Sequence, residues 1–161
     1  MRKITKVLLI LVFSIAICVL TGLKVGAYLV DDKEEKMINS VNGEKVEVEL
    51  DSDKRIIETM HKMTHQKVIS DEQQGFIKMT PENIKIVKRM INESTPLSLK
   101  YVGQYRVIID RWENGDFSLI VREHNMLSKW LDGNNGKAYK EATPEQERAY
   151  LLKQAKAELN K

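Results

Sequence analysis

A chain of 161 residues suits one modest domain, and its formal charge of +3 hides an asymmetry. Arg2, Lys3, Lys6 and Lys24 all lie in the first thirty residues; without them 22 basic residues face 23 acidic ones, which excludes the clustered basic surface that a nucleic-acid partner requires. With Cys18 as the single cysteine, an intramolecular disulfide framework and a cysteine-ligated zinc site are excluded as well.

Residues Val7 to Leu23 form an uncharged run behind "MRKITK". At about 1.5 Å per residue these seventeen reach roughly 26 Å, and continuation past Lys24 to Val30 crosses a hydrocarbon core of about 30 Å. Lys24 can snorkel and Tyr28 suits the headgroup level, while the positive charges ahead of the run stay cytoplasmic. The expected organisation is a cytoplasmic tail at 1–6, a transmembrane signal-anchor at 7–30, a charged stalk at 31–52 and an extracytoplasmic domain at 53–161. The run exceeds the usual signal-peptide length, yet the small residues around "VGA" leave a secreted product, cleaved near Ala27, as an alternative. Ile17 ahead of Cys18 speaks against lipoprotein processing.

The stalk carries "DDKEEK", a turn at Asn42-Gly43 and a short alternation of Val46, Val48 and Leu50, read as an extended linker because a lone strand has no partner. Helical signals dominate from there. A first helix, capped by Asp51, Ser52 or Asp53, runs through "KRIIETMHKMTHQKVISDE" with Ile56, Ile57, Met60, Met63 and Val68 on its apolar stripe. Gly75 ends or follows it. A second starts at Thr80 with Pro81 at its first position, Met79 and Ile84 forming a hydrophobic staple; Ile84, Val87, Met90 and Ile91 are its buried face.

A third helix is expected over Leu97 to Glu113 with Tyr101, Tyr105, Ile108, Ile109 and Trp112 inward; "KYVGQYRVII" also has strand composition, but the spacing fits the helical period better. Asn114-Gly115 stops it and Asp116 caps a fourth, whose face is Phe117, Ile120, Val121, His124, Leu127 and Leu131. A fifth begins with Thr143, Pro144 and Gln146, a capping box, and carries Tyr150, Leu151, Ala155 and Leu159. The expected fold is all-α: about five amphipathic helices in a small bundle behind the anchor.

Candidate chemistry is sparse. His61 and His65, four apart on one helix face, have the spacing of two zinc ligands, but the glutamate that a zincin motif needs after the first histidine is Lys62. A third ligand has to come from His124, Glu123 or Asp116. In the structural alternative His61 borders the apolar stripe, His65 lies further towards solvent and His124 is a hydrogen-bonded core residue. "DGNNG" at 132–136 resembles the start of a calcium loop but has Gly136 at the fifth position and Thr143 at the twelfth. Nucleophile motifs and phosphate loops are absent. Trp130 and Tyr139 are the aromatic side chains best placed for an exposed contact, the others being core.

"MHKMTHQKV", "MTPENI", "RWENGDFS" and "EHN", in this order, resemble a family of uncharacterised membrane-anchored proteins from Bacillus-like low-GC Gram-positive bacteria, over roughly Asp53 to Lys161. The resemblance implies a surface-facing bacterial setting and transfers no catalytic residue. The expected function is that of a non-enzymatic accessory protein in the bacterial envelope, held in the bilayer by 7–30 and binding an envelope protein, with no cofactor. The alternative is a metal-binding module or metal-dependent hydrolase using zinc at His61, His65 and His124.

Overall fold

The computed structural model describes residues 30–131 and 136–160. The expected anchor, 7–30, therefore lies outside the described residues except for Val30, and most of "DGNNG" does too. Among the described residues no helix is long and apolar enough to cross a membrane. The chain divides into two compact units, Met1–Asn39 and Ser40–Lys161. The described part of the first, 30–39, is helical, with Lys36 paired to Asp32 one turn away at 2.8 Å.

In the second unit five helices, α1 (Asp53–Thr64), α2 (Pro81–Glu93), α3 (Val102–Glu113), α4 (Ile120–Trp130) and α5 (Pro144–Leu159), are joined by two short strands, β1 (Val68–Ser70) and β2 (Ala138–Glu141). The strands pair antiparallel, Val68 opposite Glu141 and Ile69 opposite Lys140, so the unit is mostly helical with a small sheet rather than all-α. Residues 42–44 also pair with 76–78, through Glu44 N–H to Phe76 O and Lys78 N–H to Asn42 O, around a bridge between Gly43 and Ile77. Val41 and Val46 are buried as a result. The second half of the segment read as an extended linker thus belongs to the compact unit, because the strand partner it lacked in the local sequence is supplied from over thirty residues away.

Local chemistry explains the helix starts. Ser52 caps α1 by accepting from Arg55 N–H at 3.3 Å, Thr80 caps α2 ahead of Pro81, and Thr143 and Gln146 form the full capping box of α5. Burying Met79 and Ile84 completes the staple of α2.

Two starts differ from expectation. α3 begins at Val102 rather than near Leu97, because Asp51 accepts from Thr95 N–H (2.7 Å) and Ser98 Oγ (2.6 Å) while Asp53 accepts from Lys100 N–H (2.8 Å), holding 95–100 in turns and leaving Leu97 fully exposed. α4 begins at Ile120 because Asp116 spends its carboxylate on Ser118 N–H and Arg111 instead of capping.

One core unites these elements. α2 lies on α3, α1 packs between α2 and α4, and Ile56, Met60, Met90, Ile109, Trp112, Ile120 and Leu127 are fully buried where they meet. α5 contributes less: Leu151 and Ala155 are buried, Tyr150 meets Phe76 edge to face at 5.5 Å, and Leu159 is 74% exposed.

Candidate metal centre

The centre is assembled where α1 ends against α4. Ile56, Ile57, Met60 and Met63 turn α1 inward, which carries His61 with them to 3% exposure. The helix then stops at Thr64, earlier than the periodicity predicts. The Thr64 hydroxyl donates to His61 O at 2.6 Å, and Gln73 Nε2 donates to His65 O at 2.8 Å and to Val68 O at 3.2 Å. These side chains take up the carbonyls a longer helix would have used, a 3-10 turn follows over His65–Lys67, and β-branched Val68 and Ile69 enter the sheet.

The expectation that His65 faces solvent is therefore wrong. It is fully buried, because the returning loop covers that side of the turn and its Nδ1 lies 2.8 Å from Gly75 O. His124 arrives from α4, where Ile120, His124 and Leu127 share the face turned to α1, and it too is fully buried.

The three imidazoles converge. Ring centroids are 4.5 Å apart for His61 and His124, 4.8 Å for His61 and His65, and 5.7 Å for His65 and His124. One ring nitrogen from each lies within 4.8 Å of the others. Neighbouring groups fix the protons. Gly75 O can only accept, so Nδ1 of His65 carries the proton and Nε2 presents a lone pair. Thr64 has one proton and gives it to His61 O, so its oxygen accepts from Nδ1–H of His124 at 2.7 Å, and Nε2 of His124 is left unprotonated.

The opposite tautomer of His124 would let Nε2–H reach Gly136 O at 3.3 Å, but it would set Thr64 Oγ1 and His61 O against each other as bare acceptors at 2.6 Å; the shorter contact decides. Nε2 of His61 and Nε2 of His65 are buried with no hydrogen-bond partner among the described residues. Each such orphan costs about 1–3 kcal/mol, and buried orphans in a folded protein call for an occupant or a use.

Burial also fixes the charge. Desolvation lowers His61 to about 3 and His65 to about 4, and lowers His124 from its ordinary value. All three are neutral at pH 7, the state in which imidazole binds metal, and Nδ1–H held by a carbonyl or hydroxyl with Nε2 free is the arrangement that orients histidine ligands. Zinc–nitrogen bonds of about 2.0–2.1 Å in a tetrahedron put ligand nitrogens about 3.4 Å apart. The widest separation here exceeds that by about 1.4 Å, within the reach of small ring rotations. Three imidazoles suit zinc, copper, nickel or iron and disfavour calcium or magnesium.

Of the other two ligand candidates, neither joins them. Glu123 is buried but accepts from Trp112 Nε1 at 2.8 Å and pairs with Arg111 Nε at 3.0 Å, a contact made as an ion pair rather than a straight hydrogen bond. Asp116 is bound to Arg111 and Ser118. On its remaining side the centre meets a cleft of about 750 Å³, lined among others by Ile57, His61, Lys62, Gly75, Tyr101 and Trp130. Lys62, standing where a zincin has its glutamate, pairs with Glu44 on the cleft wall. Trp130 stacks on Tyr101 at 4.0 Å and 8°, and Tyr139 is 64% exposed.

Sequence reasoning missed Thr64 and Gly75. A threonine three residues after a histidine, next to a second histidine, was the available signal for the first; a main-chain carbonyl leaves none.

Residues 60–152 match a family of unknown function (DUF6241), a span that takes in more than half of the chain and all three histidines. The chain belongs to this family. No curated protein and no solved structure matches it. "MTPENI", "RWENGDFS" and "EHN" all fall within the DUF6241 region, and "MHKMTHQKV" begins it at Met60, so the expected likeness to an uncharacterised domain family holds over this span.

Proposed function

We propose that this protein is a membrane-anchored, extracytoplasmic metal-binding module of a bacterial envelope, holding one transition-metal ion, with zinc as the reference ion, on Nε2 of His61, His65 and His124. The observation that carries the metal is the pair of orphaned, buried Nε2 atoms beside a third lone pair in one neutral cluster. The anchor and the envelope setting rest on the Val7–Leu23 run, the charges ahead of it and the motif resemblance. Binding is favoured over hydrolysis because, among the described residues, the nearby carboxylates of Glu44 and Glu123 are paired with Lys62 and Arg111 rather than free to act on a metal-bound water. An envelope protein remains the partner this architecture suits.

Elemental analysis of the full-length chain in detergent tests the centre. About one equivalent of zinc is expected, with a melting rise on the order of 10 °C at a thousandfold excess over the dissociation constant. His61→Ala, His65→Ala and His124→Ala should each abolish both. Less than a tenth of an equivalent, with no melting shift on adding zinc, cobalt or copper, overturns the proposal. Protease shaving of intact cells tests the setting: the domain should be cleaved and the tail protected.

A further inference from the structure

We infer that the histidine centre is one end of a ligand site, whose ligand coordinates the metal through a carboxylate and lays an apolar body along the cleft wall. This rests on the metal reading above. The first observation is that the centre and the cleft share a residue. His61, 3% exposed with Nε2 unpartnered, lines the cleft, and so does Gly75, whose carbonyl holds His65. Three protein ligands leave a tetrahedral ion one open position, the hallmark of zinc sites that take an outside ligand.

Charge then selects the donor. Three neutral imidazoles leave a divalent ion with its full charge. The acidic groups along the cleft are engaged: Glu44 by Lys62, Asp53 by Tyr105 Oη at 2.6 Å and Lys100 N–H at 2.8 Å, and Glu58 by Lys54 and Arg55 at 3.8 Å. Among the described residues that line the cleft no acidic group is left for the ion, so neutralisation falls to the ligand, and a carboxylate oxygen is a donor of the right charge and hardness for zinc.

The wall selects the rest. In a cleft otherwise lined largely by charged and polar side chains, Ile57, Leu131 and the parallel Tyr101–Trp130 stack supply the apolar contacts, within a volume in the range of about 300–1,000 Å³ usual for small-ligand sites. A free aryl or alkyl carboxylic acid has this chemistry, and so does the C-terminus of a peptide ending in an apolar residue.

Cobalt(II) loaded into the full-length chain in detergent reports the open position through its visible absorption band. Acetate and 3-phenylpropionate should both shift the band, the latter binding roughly tenfold tighter or more through its buried apolar carbons. Trp130→Ala should erase that advantage while acetate binds as before. An N-acetylated tripeptide ending in phenylalanine assigns the site to peptide termini if it outbinds phenylpropionate, and to free acids if it binds more weakly. Cobalt bound with a band that neither acid shifts overturns the ligand site and leaves the metal centre standing. Equal affinity for the two acids overturns the apolar wall, and failure to take up cobalt, zinc or copper overturns the metal reading beneath both.

Discussion

Two of the polar clusters buried among the described residues are finished to different degrees. On the α3 side of α4, Glu123 has both oxygens engaged, one by Trp112 Nε1 and the other by Arg111. On the α1 side, one residue further along the same helix, His124 meets His61 and His65, whose Nε2 atoms have no hydrogen-bond partner among the described residues. The first cluster is self-sufficient and needs no ligand to account for it. The second has Nδ1 of His65 and of His124 tied by a carbonyl and a hydroxyl and Nε2 of His61 and of His65 without a partner among the described residues, which is how a protein prepares histidines for an ion. A buried charged residue is thus weaker testimony to function here than a buried neutral one with an unmet lone pair.

Acid should separate the clusters most strongly. Folded His61 and His65 sit at about 3 and 4 against an ordinary 6.5, so below pH 6.5 the unfolded chain takes up protons that the folded one refuses. Metal-free stability should be level above about pH 6.5 and fall, on the order of 5 kcal/mol in all, as the pH drops to about 4. Urea midpoints in chelator across that range measure it, and His65→Leu should flatten the slope. A slope unchanged in that variant would mean the acid sensitivity lies elsewhere.

Glu123→Ala comes next in size. It strands the Trp112 indole N–H and removes the Arg111 partner, at a cost of about 3 kcal/mol. The distinguishing expectation is that zinc stoichiometry, read by elemental analysis, stays the same; loss of zinc would show the two clusters to be one. The smallest effect belongs to Thr64→Val, which keeps the ligands but removes the hydroxyl between His61 O and His124 Nδ1. Zinc affinity should fall by about 10–100-fold in a competition titration, with one equivalent still bound at saturation.

Much of the scaffold was legible in the sequence. Thr80-Pro81, Thr143-Pro144-Gln146 and the apolar spacings of α1, α2 and α3 act within a few residues of themselves, so they can be read without the fold. The sheet could not be, because Val68 continues the α1 spacing and the helix is ended by Gln73, a side chain from beyond it. The three histidines could be nominated from the sequence, but their convergence was not derivable: His61 and His65 share a turn, and what brings His124 to them is the packing of α4 on α1. His65 was misplaced because a straight helix projects it outward, whereas the covering loop belongs to residues 73–75.

The span between the ligands has a consequence for the chain as a whole. His61 and His65 flank Thr64, which is 60 residues before His124, and the ion proposed on the three histidines would tie the two ends of that span together. The only cysteine lies at position 18, so no intramolecular disulfide is open to this domain. A metal tie across about 60 residues would restrict the unfolded chain as a disulfide of that loop length does, by about 4 kcal/mol in the chain-entropy picture. With zinc as the ion it would, unlike a disulfide, be indifferent to the redox state of its surroundings and would come and go with the supply of the ion.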